Sequence, residues 1–539
     1  MRSVRRLTTG SAADKMIPVN YWDHSYTNAV TNFMLRFDHQ LDAGKLRGSL
    51  EKLLSRPDGW RRLGGRLRRN AAGRSAYHVP PRYTERRPAI SYHHESHDMR
   101  ILQHPLGSRV PGAASGRKLQ TPRILARGED FVPLMRRPGD PACLGDYLRG
   151  DTPVLGLHVV SFKNATLVTL RGSHVLFDDI GRKAFLDAWS LTLQGRDDDV
   201  APLMERDPMA KLGAPTPRET EKATLPIEEY KHADKQLGPR QFLQLGLRQV
   251  LDRISHWRRR PVEEARIVCV PKPYMERLKK AAFREWLGTP GNGSFVAEHD
   301  EEEATAPSPR HMFLSDGDIL CAWWTRHILA ARLPPNTSQT VSVMNMLGLR
   351  DLLVQSGIVP GAERKSVMLG NAMVGVPAFF LASQLQQKSL GEVAGNLRQA
   401  IQELGSWPQV EALLKLQRAS RDKKDRHAVL FGDGGMHMVA CTNWLKARFF
   451  DVDFSAAIIP SAEMEKPGST PVAKPTNVQM HMTTENTPAS LMSPFVILGK
   501  DEYGNYWIRG TLREEYWPKV EHSLLEEVLL ERVESDSKH

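Results

Sequence analysis

The chain is poor in cysteine. Its 539 residues hold four, Cys143, Cys269, Cys321 and Cys441, all far apart. That spacing argues against a disulfide framework, a redox dithiol and a thiolate zinc site. Three of the four lie in apolar contexts, so buried free thiols are the reading. Long apolar runs are missing too. The most membrane-like stretch, Val367 to Leu385, is broken by Asn371, Gly375 and Pro377 and reads as strand, turn and helix start. The basic opening Met1 to Leu7 lacks the apolar core of a secretory signal. Ser537-Lys-His539 departs from the Ser-Lys-Leu peroxisomal signal at its last residue. These absences predict a soluble, cytoplasmic protein with no membrane partner. No nucleotide phosphate loop, metal-ligand cluster or internal repeat competes for the chemistry.

Charge is not extreme either. The 74 Lys+Arg against 62 Asp+Glu leave +12, enough to draw an anionic ligand. The basic clusters Arg56–Arg69 and Arg253–Arg260 are short and lack any nucleic-acid signature, so nucleic acid is not expected as a partner.

What is present is an ordinary globular balance, 40% hydrophobic and 25% charged, on a chain too long for one core. The pattern divides it into a disordered tail (1–15), an N-terminal domain (16–195), a charged, Pro-punctuated crossover (196–262) and a C-terminal domain (263–530). In the first domain, Asn32 to Phe37 reads as a strand and Leu46 to Leu54 as an amphipathic helix. Residues 93–130 read as an irregular surface loop. Val154 to Phe162 and Ala165 to Leu170 form a hairpin turning at Lys163-Asn164. In the second, strands at Arg266, Gln339 to Leu347, Val439 to Trp444 and Tyr506 to Leu512 alternate with helices Tyr274 to Glu285 and Ser389 to Leu404. Gly288 to Pro309 reads as a disordered insertion.

The hairpin's second strand delivers Arg171-Gly-Ser-His174-Val-Leu-Phe-Asp178. Beyond it Ala184, Phe185, Ala188, Trp189 and Leu193 fall at helical spacing behind an acidic first turn. His174 therefore sits where a strand breaks into a helix, a place that can aim an imidazole into a cleft. Histidine takes a proton near neutral pH, and Asp178 is placed to fix the turn by capping it or by pairing with a distant cation. A buried histidine bonded to backbone is the bland alternative. His-x-x-x-Asp is expected about once by chance in a chain with this many histidines, and His93-His94-Glu-Ser-His97-Asp98 supplies the decoy. A histidine-rich loop can bind metal, yet its polar surroundings read as solvated loop. Context selects His174.

The segment His174 to Gly181 is similar to the HxxxD motif of the BAHD acyltransferases, particularly fungal secondary-metabolism members of the trichothecene 3-O-acetyltransferase type. Other stretches look like family landmarks, in family order: Trp22-Asp23, Trp60 to Leu67, Ser315 to Trp323, Asn345 to Arg350, Gly370-Asn371-Ala372, and Thr442 to Lys446 leading to Phe450-Asp-Val-Asp-Phe454. The resemblance spans roughly residues 17 to 515. It implies an α/β, two-domain, chloramphenicol-acetyltransferase-like fold with a tunnel between the domains. It also implies an acyl-coenzyme A co-substrate such as acetyl-coenzyme A, no permanently bound cofactor or metal, a small-molecule acceptor and a monomer. By the same resemblance His174 is the general base. Asp178 holds structure by pairing with an arginine of the second domain, for which Arg350 is the candidate, and Asp453 likewise holds architecture. Lys446 and Arg448 are candidates for the coenzyme phosphates.

The departures are local. Where the family has Asp-Phe-Gly-Trp-Gly, this chain has Asp453-Phe-Ser-Ala-Ala457, so that loop must differ. Asp179 replaces the glycine after the motif. Ser173 replaces the first histidine of peptide-synthetase condensation domains. The rival readings are a catalytically inactive metabolite-binding relative, an N-acyltransferase or condensation-type enzyme, and, from charge alone, a nucleic-acid-binding regulator.

Overall fold

The computed structural model describes residues 13–26, 29–70, 73–214, 228–255, 262–288, 313–420, 429–460, 471–484 and 492–536. In the first half the strands are β1 (Lys15–Pro18), β2 (Ala29–Phe37), β3 (Arg66–Arg69), β4 (Ser75–Val79), β5 (Ser91–Ser96), β6 (Arg123–Arg127), β7 (Leu155–Phe162) and β8 (Ala165–Ser173). In the second they are β9 (Glu263–Val270), β10 (Thr340–Gly348), β11 (Met373–Leu381), β12 (His437–Asn443), β13 (Asn477–Thr484), β14 (Met492–Lys500) and β15 (Tyr506–Arg513). They build a five-stranded sheet ordered β13-β2-β8-β7-β5 and a seven-stranded sheet ordered β11-β10-β12-β14-β15-β9-β6, with a small β1-β4-β3 sheet beside them. Each large sheet takes one strand from the other half of the chain. β13 pairs with β2, Asn477 opposite Arg36, and β6 pairs with β9.

Burial explains the central strands. All nine residues of β8 are buried, as are eight of the nine in β2, so both faces of this sheet are covered and the strands read as apolar runs. Helices α1 (Ala43–Ser55) and α2 (Asp179–Leu193) supply Leu46, Leu50, Phe185 and Trp189 to the same core. The second core gathers Trp323, Trp324, Val341, Val343, Phe495 and Ile508. Its helix Asp316–Arg332 starts on a capping box in which Ser315 and Asp318 satisfy each other's backbone N–H.

Residues 93–130 are not one irregular loop. Ser91–Ser96 is an edge strand running parallel to β7, and Arg123–Arg127 joins the second sheet. Both pairings come from distant chain, and the polar side chains of an edge give no apolar run to read. Residues 289–312, which hold most of the expected insertion, lie outside the described residues, as do residues 1–12 of the expected tail. Asp14, just beyond, pairs with Arg87 at 2.9 Å. No helix among the described residues is long and apolar enough to cross a membrane.

Candidate active site

β8 ends at Ser173, and the His174 N–H donates to the Ala29 carbonyl at the start of β2, 2.8 Å away. Sheet pairing thus runs up to the histidine itself. Four residues later Asp178 caps α2, its Oδ1 accepting the Gly181 N–H at 2.8 Å. A Cβ on Gly181 would lie 2.0 Å from the Leu369 carbonyl oxygen. A glycine is therefore needed here because the backbone of the second half crosses against the first turn of α2.

Asp178 is the hub of that crossing. Its carboxylate receives Arg350 Nη1 and Nη2, each at 2.8 Å, and the Ala372 N–H at 3.0 Å. With Gly181 that makes four donors on a side chain only 2% exposed. Arg350 also donates to the carbonyls of Met368 and Gly370, so one guanidinium ties the motif to segment 368–372. The bidentate geometry is the strong form of such a pair. Asp178 is turned into the protein framework, away from the imidazole's task.

Sequence reasoning gave Asp23 and Asn371 no role in the site, although both lie in the recognised landmarks. The Asn371 backbone N–H and Nδ2 both donate to Asp23 Oδ1, at 2.7 and 2.8 Å, and Nδ2 also donates to the His174 carbonyl at 2.9 Å. Two acceptors on Nδ2 fix the orientation of this amide. Burial pushes the Asp23 carboxyl up to about 7, against the lowering effect of the Asn371 bonds.

The His174 ring stacks on Tyr26, centroids 5.1 Å apart, and its Nδ1 has no hydrogen-bond partner. Some of the residue still meets solvent, but protein crowds the ring. Burial, helped by the positive charge of Arg182, lowers its pKa to about 4, while Asp178 pulls the other way. The imidazole is therefore neutral at physiological pH, with a lone pair available. Arg182 is itself buried, held by Thr31 Oγ1 at 3.1 Å and lying over the rings of Phe33 and Phe177. Burial lowers its pKa to about 10. Asp179, next to the motif aspartate, is raised to about 6 by burial and then by the Asp178 charge.

The other expected residues fall elsewhere. Asp453 Oδ1 accepts the Ser455 N–H at 2.8 Å and the Ser455 hydroxyl, and its carbonyl accepts the Ser190 hydroxyl of α2. Ser455–Ala457 forms a short helical turn with no positive φ, so this chain's version of the loop needs no glycine. Phe454 stacks on Phe37 and meets Trp189 edge-on, anchoring the loop in the first core. Lys446 lies on the surface, 86% exposed, its Nζ 3.8 Å from Asp351, the residue after Arg350. Arg448, with φ 47°, pairs with Asp451 at 2.6 Å. Neither reaches the His174 cluster through any bond seen here. All four cysteines are free thiols, and no group among the described residues is arranged to hold a metal ion.

No family model matches the chain, but known proteins do. Acetyltransferase adrJ of Penicillium roqueforti is 34% identical over 95% of this chain and 96% of its own length. Transcriptional regulator calD of Penicillium decumbens is 35% identical over 96% of each. Among solved structures, TRI101 of F. sporotrichioides, crystallised with coenzyme A and T-2, matches with a TM-score of 0.60 at 14% identity, covering 94% of this chain and 97% of its own. Vinorine synthase matches with a TM-score of 0.54 at 13% identity, over 96% of this chain and 95% of its own. The fold is thus the two-domain, chloramphenicol-acetyltransferase-like α/β fold, and the protein is an acyltransferase. Within that class the chain belongs to the BAHD family, among its fungal secondary-metabolism members.

Proposed function

We propose that the protein moves an acyl group, acetyl in the first instance, from acyl-coenzyme A to a hydroxyl of a small secondary metabolite, with His174 as general base. The observation that carries this is the placement of His174 where the two halves of the chain meet, its ring stacked on Tyr26 and its carbonyl held by Asn371, in a buried setting that favours the neutral imidazole. Similarity to acetyltransferases, and to a structure solved with coenzyme A, supports the donor class.

In this scheme His174 takes the hydroxyl proton as the acceptor oxygen attacks the thioester carbonyl. The tetrahedral intermediate then collapses, the carbon–sulfur bond breaks, and the departing thiolate takes the proton from the imidazolium. Burial that disfavours the imidazolium speeds that return and makes the proton's stay on His174 short. Alignment of the two substrates supplies much of the rest. Asp178, Arg350 and Asp453 hold the frame. Lys446 and Arg448, on the exposed loop beside Asp351, are the residues we assign to the coenzyme phosphates.

Free-thiol release from acetyl-coenzyme A across a panel of alcohols and amines tests the reading. Turnover lost in His174→Ala supports it, and turnover unchanged in that variant rejects the base. Two of the relatives, calD of Penicillium decumbens and sdnM of Sordaria araneosa, are named transcriptional regulators. That alternative requires strongly salt-dependent DNA binding with thiol release at background throughout.

A further inference from the structure

A cavity of about 260 Å³ lies against the second sheet. Two of its walls also contact His174, Tyr26 through the ring and Asn371 through the backbone carbonyl. Strand register builds the opposite wall. Met344 stands across from Pro377 and Met346 from Gly375, while Met438 pairs with Ser342 on one side and Met492 on the other. These residues share one face, and the alternate residues Val341 and Val343 enter the helix-covered core. Gly375 leaves room for its neighbour, since a Cβ there would meet Met344 Sδ at 2.7 Å. With Met209 and Met373, six of the chain's 19 methionines line this space. Among the described residues, no Asp, Glu, Lys or Arg lines it.

A wall of thioethers suits an uncharged, apolar body and adapts to its shape. The volume is small beside the roughly 300–1,000 Å³ of most ligand clefts, which favours a compact skeleton over a long chain or a glycoside. Polar side chains, Tyr26, Ser342 and Gln417 among them, interrupt the apolar lining, and two of its polar atoms stand apart. Ser25 Oγ and Asn371 Oδ1 are both buried without a hydrogen-bond partner. The Asn371 amide cannot satisfy its oxygen by flipping, because its nitrogen is committed to Asp23 and the His174 carbonyl. An orphaned carbonyl oxygen asks for a donor.

We propose that this cavity takes a compact alicyclic acceptor bearing a second hydroxyl beside the one acylated, and that Ser25 Oγ and Asn371 Oδ1 hold that second hydroxyl. The proposal rests on the acyl-transfer reading for its reacting hydroxyl, but its binding can be measured alone. The test is calorimetric binding, without acyl donor, of decahydro-2-naphthol and of a decahydronaphthalenediol to the full chain. Thiol release with both follows once acetyl-coenzyme A is added.

The diol should bind about tenfold or more tighter than the mono-ol, because a site built for a hydroxyl rejects the analogue lacking it. Ser25→Ala should erase that preference and leave the mono-ol unchanged. Met344→Trp, which fills the cavity, should weaken both. Equal binding of the two alcohols, a preference that survives Ser25→Ala, or no binding of either would overturn the proposal. Binding as expected with no thiol released would reject acyl transfer and leave the cavity assignment standing. Thiol release with phenethylamine or methyl glucoside that Met344→Trp does not alter would do the reverse.

Discussion

The chain carries His-x-x-x-Asp at His174 and again at His94, and the two could hardly be treated more differently by the fold. Asp178 is 2% exposed and takes four hydrogen bonds, three of them from residues more than 170 positions away or across the crossing backbone. Asp98 is 94% exposed and faces a single lysine, Lys163, at 2.8 Å. His174 directly follows a central strand, whereas His94 lies on edge strand β5 and is in hydrogen-bond contact with the Ser161 hydroxyl at 2.9 Å. The neighbouring histidines stack in place of gathering around a metal, His93 on His158 and His97 on Phe162. Spacing along the chain is therefore the least informative part of the motif. What makes a site is the long-range partner that buries it.

The largest expected contrast is in stability. Arg350→Ala strips two charged donors from buried Asp178, and breaking such a pair costs about 3–5 kcal/mol. Asp178→Asn should also destabilise, since its amide would turn a donor toward Arg350 or the Ala372 N–H. Urea denaturation reads both, and midpoints within error of wild type would mean that the crossing does not depend on the pair. Next comes turnover. His174→Ala should lower kcat by about 10²-fold or more, and His94→Ala should leave it alone. Equal losses in both would put the base assignment and the contrast in error together.

A third contrast is in pH. With its folded pKa near 4 and an unfolded value of about 6.5, His174 binds its proton more readily when the chain is unfolded. Its contribution to stability is whole above about pH 6.5, shrinks as pH falls, and is gone below about pH 4. His174→Gln should flatten the stability curve across that window. His94 is also lowered by burial, but it is more exposed, so His94→Gln should change the slope less. The acid limb of kcat/KM should sit near pH 4. Arg182→Leu should raise it, because the nearby positive charge helps hold the imidazole neutral.

Much of this was readable in the chain. The hairpin, the capped helix behind Asp178 and most strand positions follow from apolar periodicity and turn chemistry. The Arg350 pairing followed from resemblance, not from spacing. Asp23 and Asn371 were in view as landmarks without a role, because nothing local links residues 348 positions apart. The methionine wall had a signal that went unused. Val341-Ser-Val-Met-Asn-Met346 alternates two faces, and its second face is neither polar nor core. Edge strands β5 and β6 could not be found this way, since their partners and not their own side chains make them strands.

The smallest effect discriminates most finely. Asp98→Ala removes an ion pair whose members are 94% and 55% exposed, and such pairs contribute about 0–1 kcal/mol. Segment 98–101 is held by other means. The Lys163 N–H donates to the Met99 carbonyl, and Asn164 Oδ1 accepts the Ile101 N–H at 3.0 Å, both from the turn of the β7–β8 hairpin. Asn164→Ala should therefore cost more than Asp98→Ala, by roughly the 0.5–1.5 kcal/mol of one net hydrogen bond. Raising salt should shrink the Asp98 effect and leave the Asn164 effect in place, because screening acts on exposed charges. If Asp98→Ala proved the costlier, the decoy's aspartate would be structural after all, and burial would no longer separate the two motifs.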